Sequence, residues 1–115
     1  MASETTPFEE PLTIYEKRRL ELNNLFKEIL GTDNVYFEPP ETVKLKYPCI
    51  IYSRVSGLTD FASNKPYMFH FRYTVTVIDR DPDSRIPGML ASQKYCTFDR
   101  GFTNDNLYHY VFTIY

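Results

Sequence analysis

The stretch Tyr67-Met68-Phe69-His70-Phe71-Arg72-Tyr73-Thr74-Val75-Thr76-Val77-Ile78-Asp79 decides how this chain is to be read. Its odd positions Tyr67, Phe69, Phe71, Tyr73, Val75 and Val77 are apolar, while the even ones include His70, Arg72, Thr74 and Thr76. Side chains alternate across a strand, so this period of two predicts a β-strand with one core face and one face that is wet or meets a partner.

Working toward the amino terminus, Gly57–Pro66 (GLTDFASNKP) has loop composition, and Tyr47–Ser56 (YPCIIYSRVS) is β-branched and aromatic. Its near-continuous apolar start suggests a strand buried on both faces or covered by a helix. Pro39-Pro40 breaks a short candidate strand at 34–37, because proline has no N–H to give a ladder. Earlier still, Thr13 and Glu16 form a T-x-x-E capping box, and Ile14, Leu22, Leu25, Phe26, Ile29 and Leu30 recur at helical spacing up to Gly31. That pattern predicts a helix over 13–30 with Leu22, Leu25, Phe26 and Ile29 packed on the sheet face of Phe69, Phe71, Tyr73 and Val75. Residues 1–11 have no period and read as a flexible arm.

Toward the carboxyl terminus, 80–88 (RDPDSRIPG) is a loop, with at most a helical turn at Met89–Ala91. Residues 95–102 and 107–115 read as two strands joined by a four-residue hairpin loop at 103–106. The expected architecture is a single α+β domain over 12–115. An amino-terminal helix packs on a mainly antiparallel sheet of about four to five strands, as a two-layer sandwich.

The chain has 115 residues, too few for two domains that each bury a core. Hydrophobic residues make up 43% and charged residues 24%, which is globular composition, and no apolar run approaches the ~18 residues of a membrane span. MASETTPFEE is acidic and polar where a secretory leader needs a basic start and an apolar run. Thirteen basic and fifteen acidic residues leave no electrostatic footprint for a phosphate backbone. Ten Tyr and nine Phe are more ring surface than a core this small readily absorbs, so some of it is expected to face a partner.

Candidate chemistry is sparse. Cys49, Cys96, His70 and His109 are isolated from one another, with no CxxC, HxH or HExxH spacing to hold a metal. Both cysteines lie in apolar strand-like runs and read as buried thiols, and a disulfide would require their strands to be neighbours. Asp79, Asp81 and Asp83 imitate a calcium loop, but Pro82 and Pro87 interrupt it and no Glu closes it, so turn capping and ion pairs with Arg80 and Arg85 account for it better. No catalytic, cofactor-binding or metal residue is assigned, and no cofactor is expected. The reading is of a binding or assembly protein rather than an enzyme.

The stretches KYPCIIYSRVSG, ASNKPYMFHFRYTVTVIDRDPDS and YCTFDRGFTNDNLYHYVFTIY together resemble small proteins of long-tailed bacteriophage tail modules, across residues 12–115. The resemblance is to tail-terminator and tail-completion proteins. It implies a structural virion protein, assembled in the host cytoplasm and sited at the head–tail interface. Such a protein forms a homo-hexameric ring that caps the major tail tube protein, stops its polymerisation and joins the tail to the head connector. Genomic DNA passes through the ring without specific binding, and no membrane is involved. The resemblance makes the loop 57–66, particularly Asp60, Phe61, Asn64 and Lys65, a docking element, and the polar strand face with Arg72 an intersubunit surface. Phe61 as cover over the sheet edge and Arg72 as a solvated strand residue are the plainer alternatives. A head-completion protein and a small intracellular adaptor that accepts a peptide strand are the competing functions.

Overall fold

The computed structural model describes residues 9–55 and 72–115, with side chains described from residue 16 onward. Helix α1 spans Glu9–Leu30 and is followed by strands β1 (Val35–Phe37), β2 (Cys49–Arg54) and β3 (Tyr73–Asp79). A short helix α2 (Ile86–Ala91) then precedes β4 (Cys96–Asn104) and β5 (Leu107–Ile114). The strands form one sheet in the order β1-β2-β3-β5-β4, parallel between β1 and β2 and antiparallel elsewhere. The fold is α+β, as the periodicities predict.

α1 begins four residues before Thr13, so Thr13 and Glu16 are interior to the helix and do not cap it. The local chemistry permits the earlier start. Pro11 falls in the first turn, where a backbone N–H would have no intrahelical partner, and Glu9 and Glu10 place negative charge at the positive end of the helix dipole. Residues 9–11, expected in the arm, are therefore helical, and 1–8 lie outside the described residues. At the other end Gly31 takes φ 81°, and its N–H donates to the Lys27 carbonyl at 2.8 Å. That is the left-handed stop that glycine adopts without a Cβ penalty.

The core lies between α1 and the sheet. Leu22, Phe26, Ile29 and Leu30 recur at i, i+4, i+7 and i+8 and bury one stripe of α1 against Ile50 and Tyr52 of β2, Tyr73, Val75 and Val77 of β3, and Phe112 and Ile114 of β5. Leu25 is only partly buried at its margin. Registers such as Tyr52↔Val75 and Val75↔Phe112 line these residues up across the sheet. Phe69 and Phe71 lie outside the described residues.

Tyr52 is the hub of the aromatic packing. Its ring meets Phe26 edge-on at 5.1 Å and Phe37 at 5.0 Å, and its hydroxyl donates to Asn23 Oδ1 at 2.8 Å. The ring is thereby buried with its polar end satisfied.

The second sheet face is also partly covered: Cys49, Ile78 and Val111 are buried, while Ile51, Thr74, Thr76 and Thr113 are half-buried. The start of β2, expected to be buried on both faces or covered by a helix, is buried on both faces at Cys49 and Ile50. α2 is longer than the Met89–Ala91 turn, because Pro87 sits in its first turn and can start a helix there. It inserts Leu90 fully into the core and packs against α1 and β4. The β4–β5 connection is tighter than four residues. Asp105 and Asn106 have φ 54° and 62°, the two left-handed positions of a two-residue type I′ turn whose twist suits a hairpin.

Candidate interaction surface

β4 ends the sheet, and every one of its residues from Thr97 to Asn104 is exposed. Among the described residues nothing pairs with its outer edge. The hairpin turn sets its register on β5 as Asn104↔Leu107 through Arg100↔Val111, and then Phe98↔Phe112 through Cys96↔Ile114. The break between these runs is a β-bulge at Asp99, which inserts one residue and reverses the alternation of faces.

The bulge sorts the side chains of β4. Cys96, Phe98, Gly101 and Thr103 lie on the α1 side, opposite Ile114, Phe112, Tyr110 and Tyr108. Thr97, Arg100 and Phe102 lie on the second face, opposite Thr113, Val111 and His109.

Phe98 packs edge-on against core Phe112 at 5.3 Å and is still 52% exposed. A Cβ at Gly101 would stand 3.7 Å from the Phe98 ring and 3.5 Å from that of Tyr110, so the glycine is roofed by rings on the same face. On the second face Phe102 stacks on His109 at 4.6 Å and 11°, and the Arg100 guanidinium lies 5.9 Å from the Phe102 ring. Phe102 remains 45% exposed and Tyr95, just before β4, 71%. Arg100 Nη1 also meets Asp99 Oδ2 at 3.2 Å. Large rings left this exposed around one sheet edge, with charge between them, make it a candidate contact surface.

Comparison with protein-family models, with curated proteins and with solved structures yields no match to this chain.

Of the residues singled out in the sequence, Asp60, Phe61, Asn64 and Lys65 lie outside the described residues. Arg72 is half-buried just before β3, and its carbonyl accepts from Val55 N–H at 2.8 Å, which carries the β2–β3 pairing one step further. Apart from Cys96, read as a buried thiol, none of the β4 residues was singled out. Their signal was nonetheless present: alternation in CTFDRGFTN fails at two adjacent charges followed by a glycine, the composition of a bulged edge strand.

The titratable groups sit in structural roles. Cys49 and Cys96 are free, and β2 and β4 are separated by two strands, so they are not neighbours. Burial, reinforced by the nearby Asp79 charge, pushes the Cys49 thiol up to about 12. Burial also raises Cys96 and, opposed by Arg19, the Tyr52 hydroxyl. Such thiols are protonated near neutrality and make poor nucleophiles.

Asp79 Oδ1 accepts from Asp81 N–H at 3.1 Å and Asp81 Oδ1 from Asp83 N–H at 2.9 Å, two successive Asx turns that account for the acidic run. The expected ion pairs are not part of it: Arg80 lies over the Tyr47 ring at 5.4 Å, and neither Arg80 nor Arg85 is among the salt bridges of the described residues. Among the described residues no group of three His, Cys, Asp or Glu side chains is placed to hold a metal ion.

Proposed function

We propose that this chain is a structural assembly protein of a long-tailed phage, a tail terminator. Copies close into a homo-hexameric ring that caps the tail tube, ends its polymerisation and presents a surface to the head connector. The observation that carries the reading is the exposure of Tyr95, Phe98 and Phe102 around β4 on a domain whose α1 stripe already fills its own core. Apolar rings left this exposed at a sheet edge fit a role in protein contact. The resemblance of the three quoted stretches to tail-module proteins supplies the kind of contact.

A ring built from head-to-tail contacts has unlike upper and lower faces. Binding one face to the tube leaves a surface that no further tube subunit recognises, and growth stops without chemistry. Asp60, Phe61, Asn64 and Lys65 are the residues proposed to dock, and Arg72 is proposed to lie on the intersubunit surface.

Electron micrographs of particles assembled without this chain test the reading. Filled or fillable heads beside unattached tails of variable, abnormal length are expected, and tails of normal length with uniform ends would overturn it. Leaky heads in the same images would move the assignment to head completion. Substituting Asp60, Phe61 and Lys65 together is expected to weaken docking with the domain still folded.

The outer β4 edge, unpaired among the described residues, favours a second reading, an adaptor that accepts a peptide as an added strand. An adaptor would leave particle morphology unchanged when removed and would bind an extended peptide in solution.

A further inference from the structure

The sheet has two ends of unlike character. β1 offers three residues, whereas β4 offers nine, exposed from Thr97 onward and unpaired on the outer side among the described residues. Charged residues and a bulge on such an edge ordinarily discourage strand addition. Here the same features single out one partner.

We propose that β4 recognises a second copy of this chain: two β4 strands pair antiparallel about a two-fold axis normal to the sheet, each Asp99 opposite Arg100 of the second copy. An axis normal to the sheet keeps each face on its own side, so residues brought opposite one another must share a face. In a strand of unbroken alternation this allows only registers centred on a residue facing its own copy. Around the middle of β4 those would oppose Asp99 to Asp99 or Arg100 to Arg100, like charges directly across a ladder.

The bulge at Asp99 changes the permitted registers. Phe98 and Gly101 now share the α1 face, as do Cys96 and Thr103, while Thr97 and Phe102 share the second face. The register that sets Phe98 opposite Gly101, Thr97 opposite Phe102 and Cys96 opposite Thr103 therefore becomes allowed, and its centre is the pair Asp99 and Arg100, made twice. The Arg100-to-Arg100 register is excluded by the same bulge, because it would oppose Phe98 on one face to Phe102 on the other. Gly101, beside which the Tyr110 and Phe98 rings of its own copy already lie, adds no side chain of its own opposite Phe98 of the second copy. A symmetric strand pair with two reciprocal ion pairs at its centre is the result.

This two-fold contact draws on the β4 rings that also motivate the proposed function, but it differs in symmetry from the head-to-tail contacts of a ring, and its test does not depend on the phage reading. A nine-residue edge falls at the small end of specific interfaces, below ~1,200 Å² in total, so a reversible dimer is expected.

Sedimentation equilibrium and light scattering of the full chain, from about 10 μM to about 1 mM, read it directly. A monomer–dimer equilibrium is expected. Asp99→Arg and Arg100→Asp are each expected to raise the dissociation constant by about tenfold or more, since each opposes like charges twice. The exchanged variant Asp99→Arg/Arg100→Asp is expected to return it to within about threefold of the parent. Both positions are exposed, and far-UV circular dichroism checks that each variant keeps its fold. A chain monomeric across the whole range would overturn the proposal. So would an oligomer of any size that the single substitutions leave unchanged, or one that the exchange fails to restore.

Discussion

Truncating Phe26 to alanine tests whether α1 is held to the sheet as described. Phe26 is fully buried and meets the Tyr52 ring edge-on at 5.1 Å, with Leu22 and Ile29 on the same stripe. Removing a buried phenylalanine ring forfeits its transfer free energy and leaves a cavity, together ~3–5 kcal/mol. The edge-on pair is part of that loss and accounts for about 0.5–1.5 kcal/mol of it.

Against a total stability of roughly 6–17 kcal/mol for 115 residues, the loss is a large fraction of what holds the fold. Urea unfolding followed by far-UV circular dichroism reads it. With a slope of about 1.5–2 kcal/mol per molar, the midpoint is expected to fall by about 2 M. Phe102→Ala is the control, because Phe102 is 45% exposed and rests on His109 from outside; it is expected to cost under about 1 kcal/mol. Equal small shifts in the two variants, below about 0.5 M, would refute the packing of α1 on the sheet.

Three further outcomes follow from the geometry. The Cys49 thiol is raised from 9.0 to about 12 in the folded chain, so the folded state holds its proton more tightly, and the resulting stability is present below pH 9 and lost as pH rises toward 12; Cys49→Ala should flatten the decline in urea midpoint across that window, and an unchanged decline would count against the burial. Asn106 holds φ 62° in the hairpin turn, so Asn106→Val is expected to lower stability by about 1–2 kcal/mol while Asn106→Gly is neutral or stabilising, as read by thermal unfolding. The fold is expected to be independent of metal, with the same thermal midpoint in chelator; about one zinc per chain by elemental analysis together with unfolding in EDTA would contradict this.

Where a residue's partners lie close in sequence, the amino acids by themselves determined the structure. The spacing of Leu22, Phe26, Ile29 and Leu30 specifies an apolar helical stripe, and Gly31 its end, because both depend on turns of one helix. The alternation Tyr73, Val75, Val77 likewise specifies which side of β3 enters the core. The start of α1 was less legible: the T-x-x-E signal at Thr13 is sound local chemistry, yet Pro11 and the two glutamates before it carry an earlier start equally well. The tightness of the β4–β5 turn was hidden for a related reason, since Asn104 and Thr103 are loop-forming residues that cross-strand hydrogen bonds drew into the ladder.

Only the tertiary structure decided which strand lies at the edge. Sheet order is a matter of long-range pairing, and composition distinguishes an edge strand from an inner one weakly. β5 pairs with both β3 and β4, which puts the most apolar carboxy-terminal strand inside and leaves β4 outside with Phe98 and Phe102 uncovered. The bulge at Asp99 is likewise a property of the pair, because one strand has an extra residue only relative to its neighbour. The aromatic surplus was visible as a count. That Tyr95, Phe98 and Phe102, among the described residues, stand exposed around one sheet edge beside an aspartate and an arginine required the sheet to be assembled first, because sheet order is set by long-range pairing.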